Sequence, residues 1–115
     1  MSDSIPPTEA SALIETGAPV IDVRGDDEFE AGHIPEARHV PFDSLMQEAD
    51  SVPKEGRVLF VCRTGERSGA AADAFTASGY DAVNIEGGLE AWAEEGLPLE
   101  PPGGTVAERI QLPPA

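Results

Sequence analysis

The chain of 115 residues contains one cysteine, one lysine, one tryptophan and one tyrosine. Each scarcity excludes something. The lone thiol, Cys62, forms no internal disulfide, so cysteine usage gives no sign of an oxidising compartment. No stretch approaches the roughly 20 consecutive apolar residues that cross a bilayer as a helix. Met1-Ser2-Asp3-Ser4-Ile5-Pro6-Pro7 has neither the basic nor the apolar region of a secretory signal. The expectation is a soluble, cytoplasmic protein. His33 and His39 are the only histidines, without other ligand-type residues at suitable spacing, so no metal is expected and His33 is read as a structural hydrogen-bonding group.

The remaining composition, 40% hydrophobic and 25% charged, is that of a globular domain rather than a disordered chain. A single domain of this length buries roughly two thirds of its extended-chain surface. Its charge is less ordinary. Lys54 is the only lysine against 22 acidic residues, and the formal net charge is −15. Such a surface repels nucleic acid and anionic membranes over most of its area, and neither is an expected partner. Two explanations of the acidity stand: adaptation to high intracellular salt, where carboxylates hold hydration and lysine is avoided, or an ordinary protein kept soluble by its charge.

Strands and helices alternate along the chain. Thr8 to Thr16 reads as a helix stopped by Gly17, and Pro19 to Val23 as a strand interrupted by Asp22, which needs a partner such as Arg24 or a backbone N–H. Asp26 to Ala31 suits a short helix, with Asp26-Asp27-Glu28 read as a solvated face. A brief strand near Arg38 to Val40 and a helical Phe42 to Ala49 follow. Arg57 to Cys62 is the strongest strand, continuously apolar after Arg57 as in a parallel sheet covered on both faces. Arg67 to Ser78 is the strongest helix, with Ala70, Ala71, Ala74 and Phe75 as its apolar stripe. Asp81 to Ile85 is a strand, Gly87-Gly88 a turn, and Leu89 to Glu95 a last helix in which Trp92 packs. The expected fold is α/β, an open and mostly parallel sheet of about five strands with helices on both faces. The domain spans residues 1–99, and the Pro- and Gly-rich residues 100–115 form a tail.

Ligands on such sheets bind beyond the carboxyl ends of the strands, where Cys62 lies. The loop after it reads Arg63-Thr64-Gly65-Glu66-Arg67-Ser68. Gly65 permits a positive φ, so successive N–H groups converge on one point ahead of a helix N-terminus. Thr64 and Ser68 offer hydroxyl donors. Arg63 and Arg67 bring positive charge that Glu66 partly offsets, a local reversal of sign that makes an anionic substrate credible. These surroundings favour an anion carried on sulfur.

At this point the chain resembles a rhodanese-like sulfurtransferase domain over nearly all of residues 5–99. Val20-Ile21-Asp22-Val23-Arg24 followed by Asp26-Asp27-Glu28-Phe29 is similar to the first signature of that family. Gly32-His33-Ile34-Pro35-Glu36-Ala37 is similar to its Gly-His-Ile-Pro segment, with Glu36 in place of the usual small residue. Cys62 to Ser68 resembles the active-site loop, and Gly87-Gly88-Leu89-Glu90-Ala91-Trp92 the C-terminal signature. The resemblance implies that Cys62 accepts a sulfane sulfur from a small anionic donor such as thiosulfate. Cys62 then carries it as a persulfide and passes it to a nucleophile, either a small molecule or a protein. Arg63 to Ser68 would bind the donor, Asp22 and Arg24 would support the site, and neither metal nor organic cofactor is needed.

Cysteine phosphatases place five residues between Cys and Arg, in a cradle sized for phosphate. Only four separate Cys62 from Arg67, so the cradle is one residue short. The alternative to an enzyme with small substrates is a sulfur-relay or protein-interaction module with little thiosulfate:cyanide activity.

Overall fold

The apolar run after Arg57 becomes the middle strand of the sheet. The computed structural model describes residues 3–106. Along the chain these form β1 (Asp3–Ile5), α1 (Pro7–Glu15), β2 (Val20–Asp22), α2 (Asp26–Ala31), β3 (Arg38–His39), β4 (Arg57–Val61), α3 (Glu66–Ala77), β5 (Asp81–Ile85) and α4 (Gly88–Glu94). The strand order is β1-β5-β4-β2-β3, and every neighbouring pair is parallel. The fold is thus the α/β parallel sheet that the alternation of elements implies.

Side chains of β4 alternate between two buried layers. Val58 and Phe60 pack with Ala71, Ala72 and Phe75 of α3, while Leu59 and Val61 pack with Ala10 and Ile14 of α1 and with Leu89 and Trp92 of α4. Because strand side chains repeat with period two, Cys62, one step past β4, joins the row on the α3 side. The thiol is therefore delivered beneath the start of α3.

Three local expectations change. Asp3–Ile5 is a strand that local sequence does not announce; it exists by pairing with β5 at the sheet edge, and Ile5 is its one buried residue. Phe42 to Ala49 is not an α-helix but 3-10 turns at Phe42–Ser44 and Ala49–Ser51. Phe42 and Met46 are 41% and 70% exposed, so Leu45 alone cannot supply the apolar stripe that stabilises a helix. In α3 the buried face is Ser68, Ala71, Ala72 and Phe75, whereas Ala70 and Ala74 are exposed.

Residues 100–106, at the start of the expected tail, lie on the domain. His33 and Glu100 exchange backbone hydrogen bonds of 3.0 and 2.7 Å, the Thr105 N–H donates to the Ala31 carbonyl at 2.9 Å, and Val106 packs against the core. The rest of that segment lies outside the described residues. Among the described residues no helix is long and apolar enough to cross a membrane.

Candidate active site

Cys62 is fully buried, and its sulfur is surrounded by donors from the loop that follows. Sγ accepts hydrogen bonds from the Gly65 N–H at 3.1 Å and the Ser68 N–H at 3.4 Å, and lies 3.2 Å from the Ser68 hydroxyl. Gly65 makes this possible. It precedes α3 with φ of 112°, a left-handed conformation that turns its own N–H and the first N–H groups of the helix toward one point. The other side of the loop is held by α4, whose Leu89 and Glu90 N–H groups donate to the Cys62 and Arg63 carbonyls at 2.9 and 3.0 Å. Carbonyls fixed outward leave N–H groups facing the sulfur.

Asn84 supports the same arrangement. Strand alternation puts it on the α3 side of β5, where its side-chain oxygen accepts from the Ser68 hydroxyl at 2.6 Å and its amide nitrogen donates to the Gly65 carbonyl at 3.3 Å. The hydroxyl carries one proton and stands between two acceptors, Asn84 and Cys62 Sγ. It can therefore turn to follow the charge on sulfur.

The arginines behave differently from the donors. Arg67 gives both terminal nitrogens to Glu28, at 2.9 and 3.0 Å, and Arg63 pairs with Glu90 at 2.6 Å. Glu28 is buried, which corrects its assignment to a solvated helix face. Burial pushes its carboxyl up, but hydrogen bonds from Arg67 and the Gly25 N–H, with the charge of Arg67, hold it below the usual glutamate value. The hydrogen bonds to Glu28 raise Arg67; burial opposes this, and the charge of Glu28, then that of a thiolate at Cys62, adds to it. Thr64 donates to the Glu66 carboxylate, and this bond with the Glu66 N–H holds Glu66 below its usual value. The positive charge counted along the loop is thus largely matched by carboxylates.

Asp22 and Arg24 form a buried pair. The Arg24 backbone N–H and its Nε reach Asp22 at 3.0 Å, Nη2 reaches it at 2.8 Å, and Nη2 also donates to the Gly32 carbonyl at 2.7 Å. Asp22 has the partner that its place in an apolar strand requires. Beside these residues opens a cleft of about 610 Å³ lined by Arg24, Asp26, Asp27, Glu28, Phe42, Asp43 and Arg67, with Val23, Gly25 and Pro41. Arg67 and its partner Glu28 together form part of the wall of this cleft.

These features have counterparts in known proteins. Residues 6–95 match the rhodanese-like domain. The chain belongs to the rhodanese-like domain family. It is 36% identical over 86 residues, 74% of this chain and 80% of the other, to a protein named sulfurtransferase from Allochromatium vinosum. It is 35% identical over 89 residues, 76% of this chain and 84% of the other, to thiosulfate sulfurtransferase GlpE from Pseudomonas syringae pv. syringae. The crystal structure of a rhodanese-like domain protein from Staphylococcus aureus superposes with a TM-score of 0.75 at 36% identity, covering 84% of this chain and 96% of that one.

Several residues of this rhodanese-like domain have structural duties. His33 Nδ1 is 2.7 Å from the Phe29 carbonyl, and the Phe29 ring is stacked between His33 and His39, with centroids at 3.8 and 4.4 Å. Trp92 is buried and donates to the Pro98 carbonyl at 2.9 Å. Among the described residues no group of three or more His, Cys, Asp or Glu side chains is arranged to hold a metal. Sequence reasoning missed Glu28, Asn84 and Glu90. Asn84 had a signal, an amide inside the apolar run Ala82-Val83-Asn84-Ile85, and Glu28 stands three residues after the helix cap, where a carboxylate reaches back to the capping N–H. Glu90 had none.

Proposed function

We propose that the protein is a sulfurtransferase that carries sulfane sulfur on Cys62. The observation that supports this reading best is the convergence of the Gly65 N–H, the Ser68 N–H and the Ser68 hydroxyl on Sγ. Donors fixed before reaction stabilise negative charge on Sγ without reorganisation, and Sγ carries that charge as the attacking thiolate and again when it leaves in the transfer to the acceptor. The Cys62 thiolate attacks the outer sulfur of a donor such as thiosulfate; the S–S bond breaks and sulfite leaves with the electron pair, giving Cys62–S–S⁻. A nucleophile such as cyanide or a thiolate then attacks the terminal sulfur and restores the Cys62 thiolate.

Treatment of the purified protein with thiosulfate should add one sulfur to Cys62, seen by mass spectrometry, and thiosulfate:cyanide turnover should vanish in Cys62→Ser. If no donor among thiosulfate, mercaptopyruvate and organic persulfides gives the adduct, the sulfur-carrier reading is wrong. A relay module with a protein acceptor is the second reading, favoured by exposed Phe42 at the cleft. It predicts loading of Cys62 from a persulfide with negligible turnover to cyanide.

A further inference from the structure

Arg24 lines the cleft and is wholly buried, yet one of its nitrogens has nothing to bond to. Its backbone N–H donates to Asp22 at 3.0 Å, and His39 Nε2 lies 2.7 Å from its carbonyl. Nε is committed to Asp22, and Nη2 to Asp22 and the Gly32 carbonyl. Nη1 has no acceptor among the described residues. A guanidinium keeps its proton in a protein, so the N–H groups of Nη1 cannot be removed by titration. A buried donor without an acceptor is destabilising and rare, and it marks a place where a further group completes the structure. By elimination, Nη1 is the polar atom that Arg24 has left to offer the cleft.

Charge and shape decide what can complete it. Arg24 is neutralised by Asp22 and Arg67 by Glu28, so this wall offers donors without a surplus of positive charge. An anion would find little there to offset the loss of its hydration, and would face exposed Asp26, Asp27 and Asp43 as well. A neutral carbonyl oxygen accepts the same hydrogen bond and loses far less hydration. The covered position of Arg24 also calls for a slender acceptor, one projecting oxygen rather than a tetrahedral oxyanion. A side-chain adjustment at the cleft floor, of a kind common on binding, admits it. Pro41 and the 41% exposed ring of Phe42 supply apolar surface for the rest of such a molecule, and about 610 Å³ is the size of a small-molecule site. We propose that the cleft is a binding site for an uncharged organic molecule that presents a carbonyl oxygen to Arg24 Nη1 and lays an apolar body against Phe42. The lining does not include Cys62, so this site is independent of the sulfur chemistry.

Benzamide, benzoate and benzamidine share one shape and are neutral, anionic and cationic at neutral pH. Only the first two carry an acceptor oxygen. Each is titrated into the full chain labelled with nitrogen-15, and the guanidinium N–H signals of Arg24, assigned through bonds from its backbone amide, are read by NMR. Benzamide should shift the Nη1 signals saturably, with a dissociation constant on the order of 1 mM, as suits so few atoms. Benzoate should bind at least about fivefold more weakly at low ionic strength, the combined scale of a few exposed charge interactions. Molar KCl should narrow that gap. Benzamidine should leave Nη1 unmoved. Phe42→Ala changes an exposed ring and leaves the core intact, and it should weaken benzamide about fivefold, the scale of one aromatic contact. The proposal is overturned if no probe moves Nη1, if benzoate binds as tightly as benzamide, or if benzamidine moves Nη1 as benzamide does. It also fails if Phe42→Ala binds benzamide unchanged, or if Arg38 and Arg57, outside the cleft lining, shift in parallel with Arg24. Magnetisation transfer between Nη1 and water with no ligand-dependent shift would mean an ordered water only, and would overturn it equally.

Discussion

Arg67 and Glu28, 39 residues apart in the chain, meet in a two-pronged ion pair that joins the start of α3 to the first turn of α2. The guanidinium is 22% exposed and the carboxylate 5%, so the pair is partly desolvated on one side and almost wholly on the other. Its geometry fixes where the positive charge near Cys62 sits, and it closes one wall of the cleft.

Glu28→Gln keeps the shape and removes the charge. It should destabilise the fold by about 1–3 kcal/mol, less than a fully buried pair because Arg67 still reaches water. Urea titrations at neutral pH measure this. The pH dependence has a definite sign. The folded carboxyl sits below the ordinary glutamate value of 4.5, so at acid pH the unfolded chain takes up a proton that the folded chain does not. Glu28 therefore stabilises fully above that value and progressively less as pH falls through its own lower pKa. The gap between wild type and variant should narrow on that descent; a gap independent of pH would contradict the charge account.

Much of the site is legible in sequence because its signals are local. The apolar run ending at Cys62, the glycine three residues on and the helix start fix a sulfur among N–H groups without help from distant chain. Asp22 in an apolar strand announces a partner, and Arg24 two residues later is on the same side of the strand. The pairing of Arg67 with Glu28 carries no such signal: the cap position marks Glu28 among three consecutive acids, but only the packing of α2 near the start of α3 makes it the partner of Arg67. For the same reason the loop's positive count overstated its free charge. Strand β1 was hidden likewise: a three-residue edge strand is defined by what it pairs with, not by its own pattern.

Asn84 should govern sulfur chemistry through Ser68. Asn84→Ala removes the nearer of the two acceptors of the buried Ser68 hydroxyl and the donor to the Gly65 carbonyl, and should cost about 1–2 kcal/mol of stability. Asn84→Asp retains the acceptor but sets a carboxylate against the Gly65 carbonyl and brings negative charge toward Cys62. Persulfide formation from thiosulfate should slow by about tenfold or more in Asn84→Asp, the scale of one misplaced electrostatic contact. Ser68→Ala, which keeps the N–H donor, should slow it less. Stopped-flow loading rates separate these, and equal rates in Asn84→Asp and wild type would remove Asn84 from the account.

Two glycines at the loop should respond differently to alanine. At Gly88, φ is 62° and a Cβ would lie 2.4 Å from the Arg63 carbonyl oxygen and 2.5 Å from that of Cys62. The loop must move to admit it, so Gly88→Ala should cost about 2–4 kcal/mol and abolish persulfide loading. At Gly65, φ is 112° but the nearest atom to a Cβ, Asn84 Nδ2, is 3.6 Å away. Only backbone strain opposes Gly65→Ala, at about 1–2 kcal/mol. Thermal melts and loading assays on both should keep this order.

Gly32 tests how residues 100–106 are attached. Its φ of 174° is extended backbone open to any residue, yet a Cβ would lie 2.4 Å from the Thr105 carbonyl oxygen and 2.8 Å from its nitrogen. Gly32→Ala should thus leave the sheet in place and push the segment off, breaking the Thr105 N–H bond to Ala31. In hydrogen exchange, the Thr105 amide should speed up at least about tenfold, as local opening replaces a closed contact. The Leu59 amide, bonded to the Pro19 carbonyl inside the sheet, should keep its protection apart from the overall loss of stability. The opposite result, Leu59 and Thr105 accelerating together, would mean that the segment opens only when the domain unfolds. Residues 100–106 would then be an integral part of the domain rather than a strap laid over its edge.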